Sequence, residues 1–367
     1  MGREKKRFEQ LLKLLPDGWE EKAKELGALT RAREIKTPGE LLRMILLYLT
    51  EGKSFAGTAV IWQLSGEKKI SKVAVFKRMQ NSAEWLQWLC EHIYRKAGFT
   101  VQRPKWLGNK NVSLVDGTED FKCGVRRQCY MLHYCVDLFT LDVNEMHITD
   151  QKTGEKLSNF KLLGENDIVM GDRIYGTLPG IAYLKERKAG YVLRIHSRLF
   201  PLYTAKGQKI DLFQRISRLN EGKTAAIDAY CSINGVYEPI RICALRKDEK
   251  SERSGIKRLV KDNQRKRGGR PVSELQMENN KYIILATSLG KEVSASKVLE
   301  LYRARWQIEL AFKRLKSLFH YNDLPAKQSR SARAWFYGKL LLAGICESSI
   351  KRSHFPPAPN SDGRECS

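Results

Sequence analysis

Apolar positions in the first hundred residues recur at helical spacing, and helix-starting and turn signals divide them into segments. Thr37-Pro38-Gly39-Glu40 has the pattern of a capping box with proline at the first helical position. The apolar run Leu41–Leu49 follows it, and Gly52 comes next. The sequence therefore predicts a buried helix here and a helical organisation for residues 1–105.

Further along this region, the pattern predicts a helix, a turn and a second helix. Ser54–Trp62 is the first helix, Leu64-Ser65-Gly66 is the turn, and Ser71 caps the second helix. The second helix is expected to bury Val73, Phe76 and Met79 and to expose Lys72, Lys77 and Arg78. This layout is typical of a helix-turn-helix DNA reader. An ordinary helical hairpin with a solvated basic face is the alternative.

From about residue 110 the pattern changes to short buried strands. The predicted strands are Asn111–Val115, Tyr130–Asp137, Val143–Thr149, Asp167–Gly171 and Gly190–Ile195, with a helix over Leu178–Arg187. Two of these strands lead directly into Asp116 and Asp172. The ends of strands are where open α/β folds gather their chemistry, so these aspartates are candidate functional residues.

Residues 198–280 have a different character. Two strand candidates, Thr224–Cys231 and Tyr237–Leu245, flank Asn234-Gly235, which is a hairpin-turn signal. We expect a mainly β insertion that lies beside the core sheet rather than extending it. The charge-dense run Arg246–Arg270 is interpreted as a solvated loop or as a phosphate-contacting loop.

The segment after residue 281 begins with a strand, Tyr282–Ala286, and continues into a helix that Ser294 caps and that runs toward Leu318. On one continuous helix, four polar side chains fall within an arc of about 60°: Tyr302, Arg305, Glu309 and Lys316. A carboxylate among cations suits a metal ligand surrounded by phosphate contacts. The alternative is a solvated i, i+4 ion pair between Arg305 and Glu309.

Composition narrows the possible partners. The chain has 367 residues, of which 42% are hydrophobic, and a formal net charge of +25. A globular protein this basic usually meets a polyanion, most often nucleic acid. No apolar run approaches the roughly 18 residues of a membrane-spanning helix, and no signal peptide is evident. We expect a soluble intracellular protein whose eight scattered cysteines are reduced thiols.

The spacing Tyr-x2-Arg-x3-Glu-x6-Lys, carried by Tyr302, Arg305, Glu309 and Lys316, resembles the signature of bacterial insertion-sequence transposases of the DDE type, the insertion-sequence-four family. Asp116 in Val-Asp-Gly-Thr resembles the first catalytic acid of that family. Asp172 in Gly-Asp-Arg-Ile-Tyr-Gly resembles the second, and Glu309 matches the third. The neighbouring acids Asp120, Asp167 and Glu165 are interpreted as bystanders.

The resemblance implies a fold and a chemistry. The fold is a ribonuclease-H-like α/β core, interrupted by a β-rich insertion and preceded by a helical DNA-binding domain. The chemistry is cut-and-paste transposition with two Mg²⁺ or Mn²⁺ ions, held by three carboxyl groups within roughly 4–8 Å of each other. Tyr302, Arg305 and Lys316 would contact or stabilise phosphates. The implied partners are terminal inverted repeats, target DNA and a second copy of the chain, in the bacterial cytoplasm and nucleoid.

These interpretations divide the chain into five parts: 1–105 as the DNA-binding domain, 106–197 and 281–345 as the core, 198–280 as the insertion and 346–367 as a disordered or truncated tail. The proline-rich stretch from Phe355 motivates the last assignment. Two other functions stay open. One is an inactive copy that only occupies its element's ends, and the other is a non-transposing nuclease on the same core.

Overall fold

The computed structural model describes residues 8–51, 54–95, 103–121, 129–140, 143–266, 269, 271–305 and 329–354. The helices are α1 (Trp19–Glu25), α2 (Pro38–Glu51), α3 (Phe55–Leu64), α4 (Lys72–Asn81), α5 (Ala83–Arg95), α6 (Leu178–Glu186), α7 (Leu212–Ile216), α8 (Glu249–Lys266), α9 (Glu274–Asn280), α10 (Ala295–Arg303) and α11 (Ser329–His354). The strands are β1 (Asn111–Phe121), β2 (Cys129–Asp137), β3 (Val143–Asp150), β4 (Asp167–Gly176), β5 (Gly190–Ile195), β6 (Leu202–Tyr203), β7 (Lys209–Ile210), β8 (Thr224–Ile233), β9 (Val236–Arg246) and β10 (Tyr282–Thr287).

The strands of the described residues form one sheet in the order β3-β2-β1-β4-β5-β10-β9-β8-β6-β7. Strands β1, β4 and β5 are parallel to each other. The remaining neighbours pair antiparallel. The chain is therefore a mixed α/β protein built around a large central sheet.

The strands of residues 198–280 extend the core sheet, so the expectation that they would lie beside it is wrong. The reason is the position of β10. Leu285 pairs with Arg194 of β5 on one side and with Cys243 of β9 on the other. The predicted hairpin between β8 and β9 is present, with Asn234 and Gly235 both at positive φ.

The charge-dense run after Arg246 is helical rather than a loop. Asp248 accepts a hydrogen bond from the backbone N–H of Ser251 at 2.7 Å, which supplies a partner for one of the N–H groups that a helix leaves unpaired at its start. Glu249 and Glu252 lie in the first turn of α8, where the helix dipole favours negative charge. Of the basic run at its end, Arg267, Gly268 and Arg270 lie outside the described residues.

The N-terminal region is helical, and its predicted caps are confirmed. The Glu40 backbone N–H donates to Thr37 Oγ1 at 3.1 Å, while Glu40 Oε2 accepts from the Thr37 N–H. Ser54 and Ser71 cap α3 and α4 through their side chains. The helix, turn and helix expected between residues 54 and 81 are therefore present.

The buried face of α4 differs from the expected one. Val75 and Met79 are the fully buried apolar residues of this helix, whereas Val73 is 51% exposed. This rotation leaves Lys72 and Lys77 in solvent but turns Arg78 partly inward. The Arg78 guanidinium donates to the carbonyl of Arg31, and burial lowers its pKa. The expectation that Arg78 is an exposed cation is therefore wrong.

Each face of the sheet carries its own hydrophobic core. One core joins Leu114 of β1 and Met170 of β4 to the N-terminal helices and to α11. The other lies on the opposite face and packs Val115 and Val169 against α6 and α7. The alternation of side chains along a strand thus assigns Leu114 and Met170 to one face and their chain neighbours Val115 and Val169 to the other.

The cysteines of the described residues agree with the expected reduced thiols. Cys90, Cys135, Cys231 and Cys243 are buried, Cys346 is half-buried, and all five are free. No helix in the described part of the chain is both long and apolar enough to cross a bilayer. Helix α11 runs to His354, so residues 346–354 of the expected tail are helical, and residues 355–367 lie outside the described residues.

Candidate active site

The two sequence-predicted aspartates lie level with each other on neighbouring parallel strands. The β1–β4 register runs from Asn111 opposite Asp167 to Leu114 opposite Met170. Asp116 and Asp172 each stand two residues beyond that last pair. Strand alternation directs both side chains to the face on which Leu114 and Met170 are buried, so the two carboxyl groups share one face of the sheet.

Both aspartates were expected just past the end of a strand, and that detail is wrong. Strand β1 continues to Phe121 because it remains paired with β2, where Asp116 lies opposite Tyr134. Strand β4 continues to Gly176. What ends near the aspartates is the pairing between β1 and β4, whose last paired residues are Leu114 and Met170.

A bulge in β4 holds Asp172 in place. The β4–β5 register jumps from Gly171 opposite Leu193 to Gly176 opposite Ile195, so residues 172–175 bow out of the ladder. A Cβ on Gly176 would lie 1.9 Å from the Arg194 carbonyl oxygen, and one on Gly171 would meet the Tyr175 side chain at 2.9 Å. Glycines at both ends are therefore what allow the bulge to close.

Backbone hydrogen bonds orient both carboxyl groups. Asp116 Oδ1 accepts from the Gly117 N–H at 2.9 Å, and Asp172 Oδ1 accepts from the Ile174 N–H at 2.8 Å. Each aspartate thus uses one oxygen to fix its own direction. Among the described residues, Oδ2 of Asp172 has no hydrogen-bond partner.

The end of α10 contributes a cation and a phenol to this site. Arg305 Nη1 lies 3.8 Å from Asp116 Oδ2, and both side chains are about 15% exposed. The Tyr302 hydroxyl donates to the Gly171 carbonyl at 3.4 Å, a long hydrogen bond. Burial raises the pKa of Tyr302, and the Arg305 guanidinium lies 5.8 Å from its ring centre. The Tyr302 side chain therefore packs between its own helix, α10, and strand β4, and its hydroxyl is shielded from solvent.

The helix expected to run unbroken from Ala295 toward Leu318 is interrupted. Ser294 caps α10 as predicted, but the helix ends at Arg303 and residues 304 and 305 form a turn. Glu309 and Lys316, the predicted third acid and its neighbouring cation, lie outside the described residues.

The donor set fits a hard divalent cation. Carboxylate oxygens are the ligands that Mg²⁺ and Mn²⁺ prefer, and Asp172 Oδ2 accepts no hydrogen bond from the described residues. The part of the chain that the structure describes contains no cluster of three or more side chains suited to metal binding. A third carboxylate ligand for the metal, in addition to Asp116 and Asp172, would therefore come from outside the described residues. Glu309 is the candidate that the sequence provides.

The sequence prediction missed a group of basic residues next to the aspartates. Arg173, Arg194 and Lys247 are half-buried, and Arg194 is close enough to contribute to the lowered pKa of both Arg173 and Lys247. Arg173 directly follows Asp172, which was a usable signal. Arg194 and Lys247 lie on separate strand ends, and only the sheet order brings them together.

Asp167, taken as a bystander, has a structural role. Its Oδ1 accepts from the Ser113 hydroxyl at 2.9 Å and its Oδ2 accepts from the Gly164 N–H at 2.8 Å. These bonds connect the start of β4 to β1. Asp167 therefore helps to set the register that places Asp116 beside Asp172.

Comparison with known proteins identifies the family of the chain. Residues 99–345 match the family model described as Transposase DDE domain. The chain is 34% identical over 352 residues to the transposase for insertion sequence element IS421 of Escherichia coli, which covers 93% of both chains. It is 24% identical over 389 residues to the transposase for insertion sequence element IS231C of Bacillus thuringiensis, covering 92% of this chain and 78% of that one. With Asp116 and Asp172 already paired in the fold, these matches establish that the chain belongs to the DDE-domain family of insertion-sequence transposases.

Proposed function

We propose that this transposase cuts and rejoins DNA at a site formed by Asp116, Asp172 and Glu309, and moves its element by a cut-and-paste route. The observation that carries the proposal is the matched position of Asp116 and Asp172 on strands β1 and β4. Two carboxyl groups on one sheet face, with Arg305 beside them, suit a reaction in which negative charge builds up on phosphate oxygens.

The reaction has two phosphoryl-transfer steps. In the first, a water oxygen bonds to the scissile phosphorus and the bond to the 3′ oxygen breaks, which leaves a 3′-hydroxyl on the element end. In the second, that hydroxyl oxygen bonds to a target phosphorus while a target 3′ oxygen departs. The same site serves both steps because the nucleophile and the leaving group are equivalent oxygens.

Asp116, Asp172 and Glu309 would hold two Mg²⁺ or Mn²⁺ ions. When bound, such ions activate the attacking oxygen and stabilise the leaving one. Arg305 and Lys316 offset the charge that builds on the phosphate, and the Arg305 guanidinium lies 3.8 Å from Asp116 Oδ2. Tyr302 acts as a positioning residue, since its buried ring holds the end of α10 against β4.

The proposed domain boundaries are the ones inferred from the sequence. Strand order β3-β2-β1-β4-β5, in which β2 alone runs against the others, supports a ribonuclease-H-like core over residues 106–197 and 281–345. Residues 198–280 would be the insertion, and residues 1–105 would recognise the terminal inverted repeats. We also propose that two copies of the chain act together on the two element ends and the target.

The test is cleavage of DNA that carries an element end, with Mg²⁺ present. Asp116→Asn, Asp172→Asn and Glu309→Gln should each lower the cleavage rate by about 10³-fold or more, because several kcal/mol of charge stabilisation is lost. Each variant should still fold and bind DNA. Strand transfer to a second DNA molecule separates a transposase from a simple nuclease.

Matched controls come from exposed acids away from the site. Asp228→Asn removes a carboxylate that pairs with Lys291 at 2.8 Å, and Glu165→Gln removes an exposed carboxylate just before β4. Both should cleave at the wild-type rate. Undiminished cleavage by Asp116→Asn or Asp172→Asn would refute the proposed site.

A further inference from the structure

A basic groove lies beside the aspartates, with a cavity volume of about 2250 Å³. Its walls come from β4, β5, β9, α8, α9 and the end of α10. The residues that matter for its chemistry are Arg173, Arg194, His196, Lys247, Arg258 and Arg303. Pockets for small molecules measure about 300–1,000 Å³, so this groove is large enough for a polymer.

The groove opens on the same face of the sheet as the two aspartates. Arg194 lies two residues after Val192 on β5, and Leu245 lies two residues after Cys243 on β9. Val192 and Cys243 belong to the core that also contains Met170. By strand alternation, Arg194 and Leu245 therefore share a face with Asp172, and the groove begins where the aspartate site ends.

Among the described residues, no carboxylate forms an ion pair with Arg173, Arg194 or Lys247, although the nearby charges of Asp172 and Glu252 partly offset those of Arg173 and Lys247. The Nε atoms of Arg173 and Arg194 and the Nδ1 atom of His196 are buried without a hydrogen-bond partner among the described residues. Lys247 Nζ contacts a neutral group, Asn280 Oδ1, at 3.2 Å. Buried polar atoms usually find partners, so unsatisfied donors in one groove indicate a missing ligand.

The acids in the groove wall are engaged elsewhere. Asp248 accepts from the N–H and the hydroxyl of Ser251, and Glu249 pairs with Arg253. Two further acids of the wall have their own partners: Asp262 lies 3.7 Å from Arg265, and Glu221 accepts from the Glu249 N–H. None of these contacts neutralises Arg173, Arg194 or Lys247 within the described residues.

Burial and mutual repulsion make this cluster costly to keep charged. Burial, and then repulsion from Arg194 and Arg173, lowers the pKa of Lys247 to about 8. An anion that enters the groove would relieve this repulsion, so the cluster favours a ligand with several negative charges along its length.

We propose that the groove binds the phosphate backbone of the DNA strand that leads into the aspartate pair, with phosphates as the missing partners of Arg194 and Lys247. This inference rests on the proposed function, because it takes DNA as the substrate. A DNA strand carries one charge about every 3.4 Å of rise, which suits cations spread along a groove. Arg173 joins the two sites, since it follows Asp172 and faces Arg194.

The experiment measures binding of a fluorescently labelled DNA duplex to the full chain by anisotropy, without divalent metal, across potassium chloride concentrations. Arg194→Gln and Lys247→Gln should each weaken binding about tenfold, as expected for a lost charged hydrogen bond. Each should also lower the salt slope by about one unit. Lys291→Gln is the matched control, because Lys291 is 81% exposed and pairs with Asp228 outside the groove.

The thermal unfolding temperature of each variant shows whether weaker DNA binding results from a folding defect. Removing one of several repelling half-buried cations should leave the Tm of Arg194→Gln and Lys247→Gln unchanged or raise it. Weaker binding with an undiminished Tm supports the proposal. Wild-type affinity and salt slope in both groove variants, or an equal loss in Lys291→Gln, would overturn it.

A parallel measurement separates this inference from the proposed function. Asp116→Asn should bind the duplex as wild type does, whatever its cleavage rate. If Asp116→Asn still cleaves DNA while Lys247→Gln loses binding, the proposed reaction site is wrong and the groove stands. If Asp116→Asn loses cleavage while the groove variants bind normally, the groove inference alone is wrong.

Discussion

The aspartate pair and the basic groove are adjacent on one face of the sheet but differ in how their charges are balanced. Asp116 and Asp172 each accept a backbone N–H, and Asp116 also has Arg305 nearby. The groove cations repel one another, and several of their buried nitrogens have no hydrogen-bond partner in the described part of the chain. The first region is therefore organised before any ligand arrives, whereas in the second a bound anion would relieve the repulsion between the cations.

The β4 bulge joins the two regions, so breaking it should damage both. In Gly176→Ala, the new Cβ would lie 1.9 Å from the backbone oxygen of Arg194 and force β4 away from β5. We expect a loss of about 3 kcal/mol or more in the free energy of unfolding, with cleavage and DNA binding both reduced. Denaturant unfolding and the two activity assays measure this.

Gly164→Ala is the matched control, because a Cβ at Gly164 would meet nothing within 4 Å. It should unfold at the wild-type denaturant concentration. If Gly176→Ala proved as stable and active as Gly164→Ala, the bulge would not be what positions Asp172 and Arg173.

Tyr302 distinguishes a positioning role from a direct phosphate contact. Tyr302→Ala should lower the free energy of unfolding by about 3 kcal/mol, since it removes a buried ring between α10 and β4. Tyr302→Phe removes a long hydrogen bond and should cost under about 1 kcal/mol, with cleavage close to wild type. A large drop in cleavage for a stably folded Tyr302→Phe would indicate that the hydroxyl contacts DNA after all.

DNA binding in the groove should depend on pH because Lys247 titrates near neutrality. Lys247 is charged below its pKa of about 8, and a bound phosphate favours that charged form. DNA affinity should therefore be highest below pH 8 and fall as the pH rises from 8 to about 9, by up to about tenfold.

Lys247→Arg should flatten this profile, because arginine stays protonated throughout. The charged and titratable groups that face Lys247 are Arg194, Arg173, Arg258 and Glu252, and none of these changes charge at pH 8 in a way that mimics the effect. Anisotropy titrations at several pH values provide the measurement. An identical pH profile in wild type and Lys247→Arg would exclude Lys247 as its source.

The smallest effects are expected from α4. Lys72→Ala and Lys77→Ala should each weaken binding to element ends a few-fold and lower the salt slope by about one unit, because both side chains are exposed. Arg78→Ala should leave the slope unchanged, since its guanidinium is bound to the Arg31 carbonyl. Unchanged slopes in both lysine variants would mean that α4 does not contact the DNA backbone.

The two regions also differ in what the sequence alone could predict. Asp116 and Asp172 each follow a buried apolar run, and such a run predicts a strand from local sequence alone. The neighbouring positions of the two aspartates could therefore be predicted. Arg194 and Lys247 are separated by more than fifty positions, and they meet only because β10 enters the sheet between β5 and β9. The same long-range pairing extended the sheet through residues 198–280, which no local pattern indicated. The face of α4 was misjudged because tertiary packing selected Val75 over Val73.

The most direct test of the central claim is metal-directed cleavage of the protein backbone. Fe²⁺ takes the place of Mg²⁺ at such sites, and with ascorbate and peroxide it cuts the chain next to its ligands, so the fragments identify them without any transposition assay. The account predicts cuts beside Asp116, Asp172 and Glu309 in the wild type, and their joint loss in Asp172→Asn. Cuts that fall elsewhere in the chain, or that persist unchanged in Asp172→Asn, would contradict it.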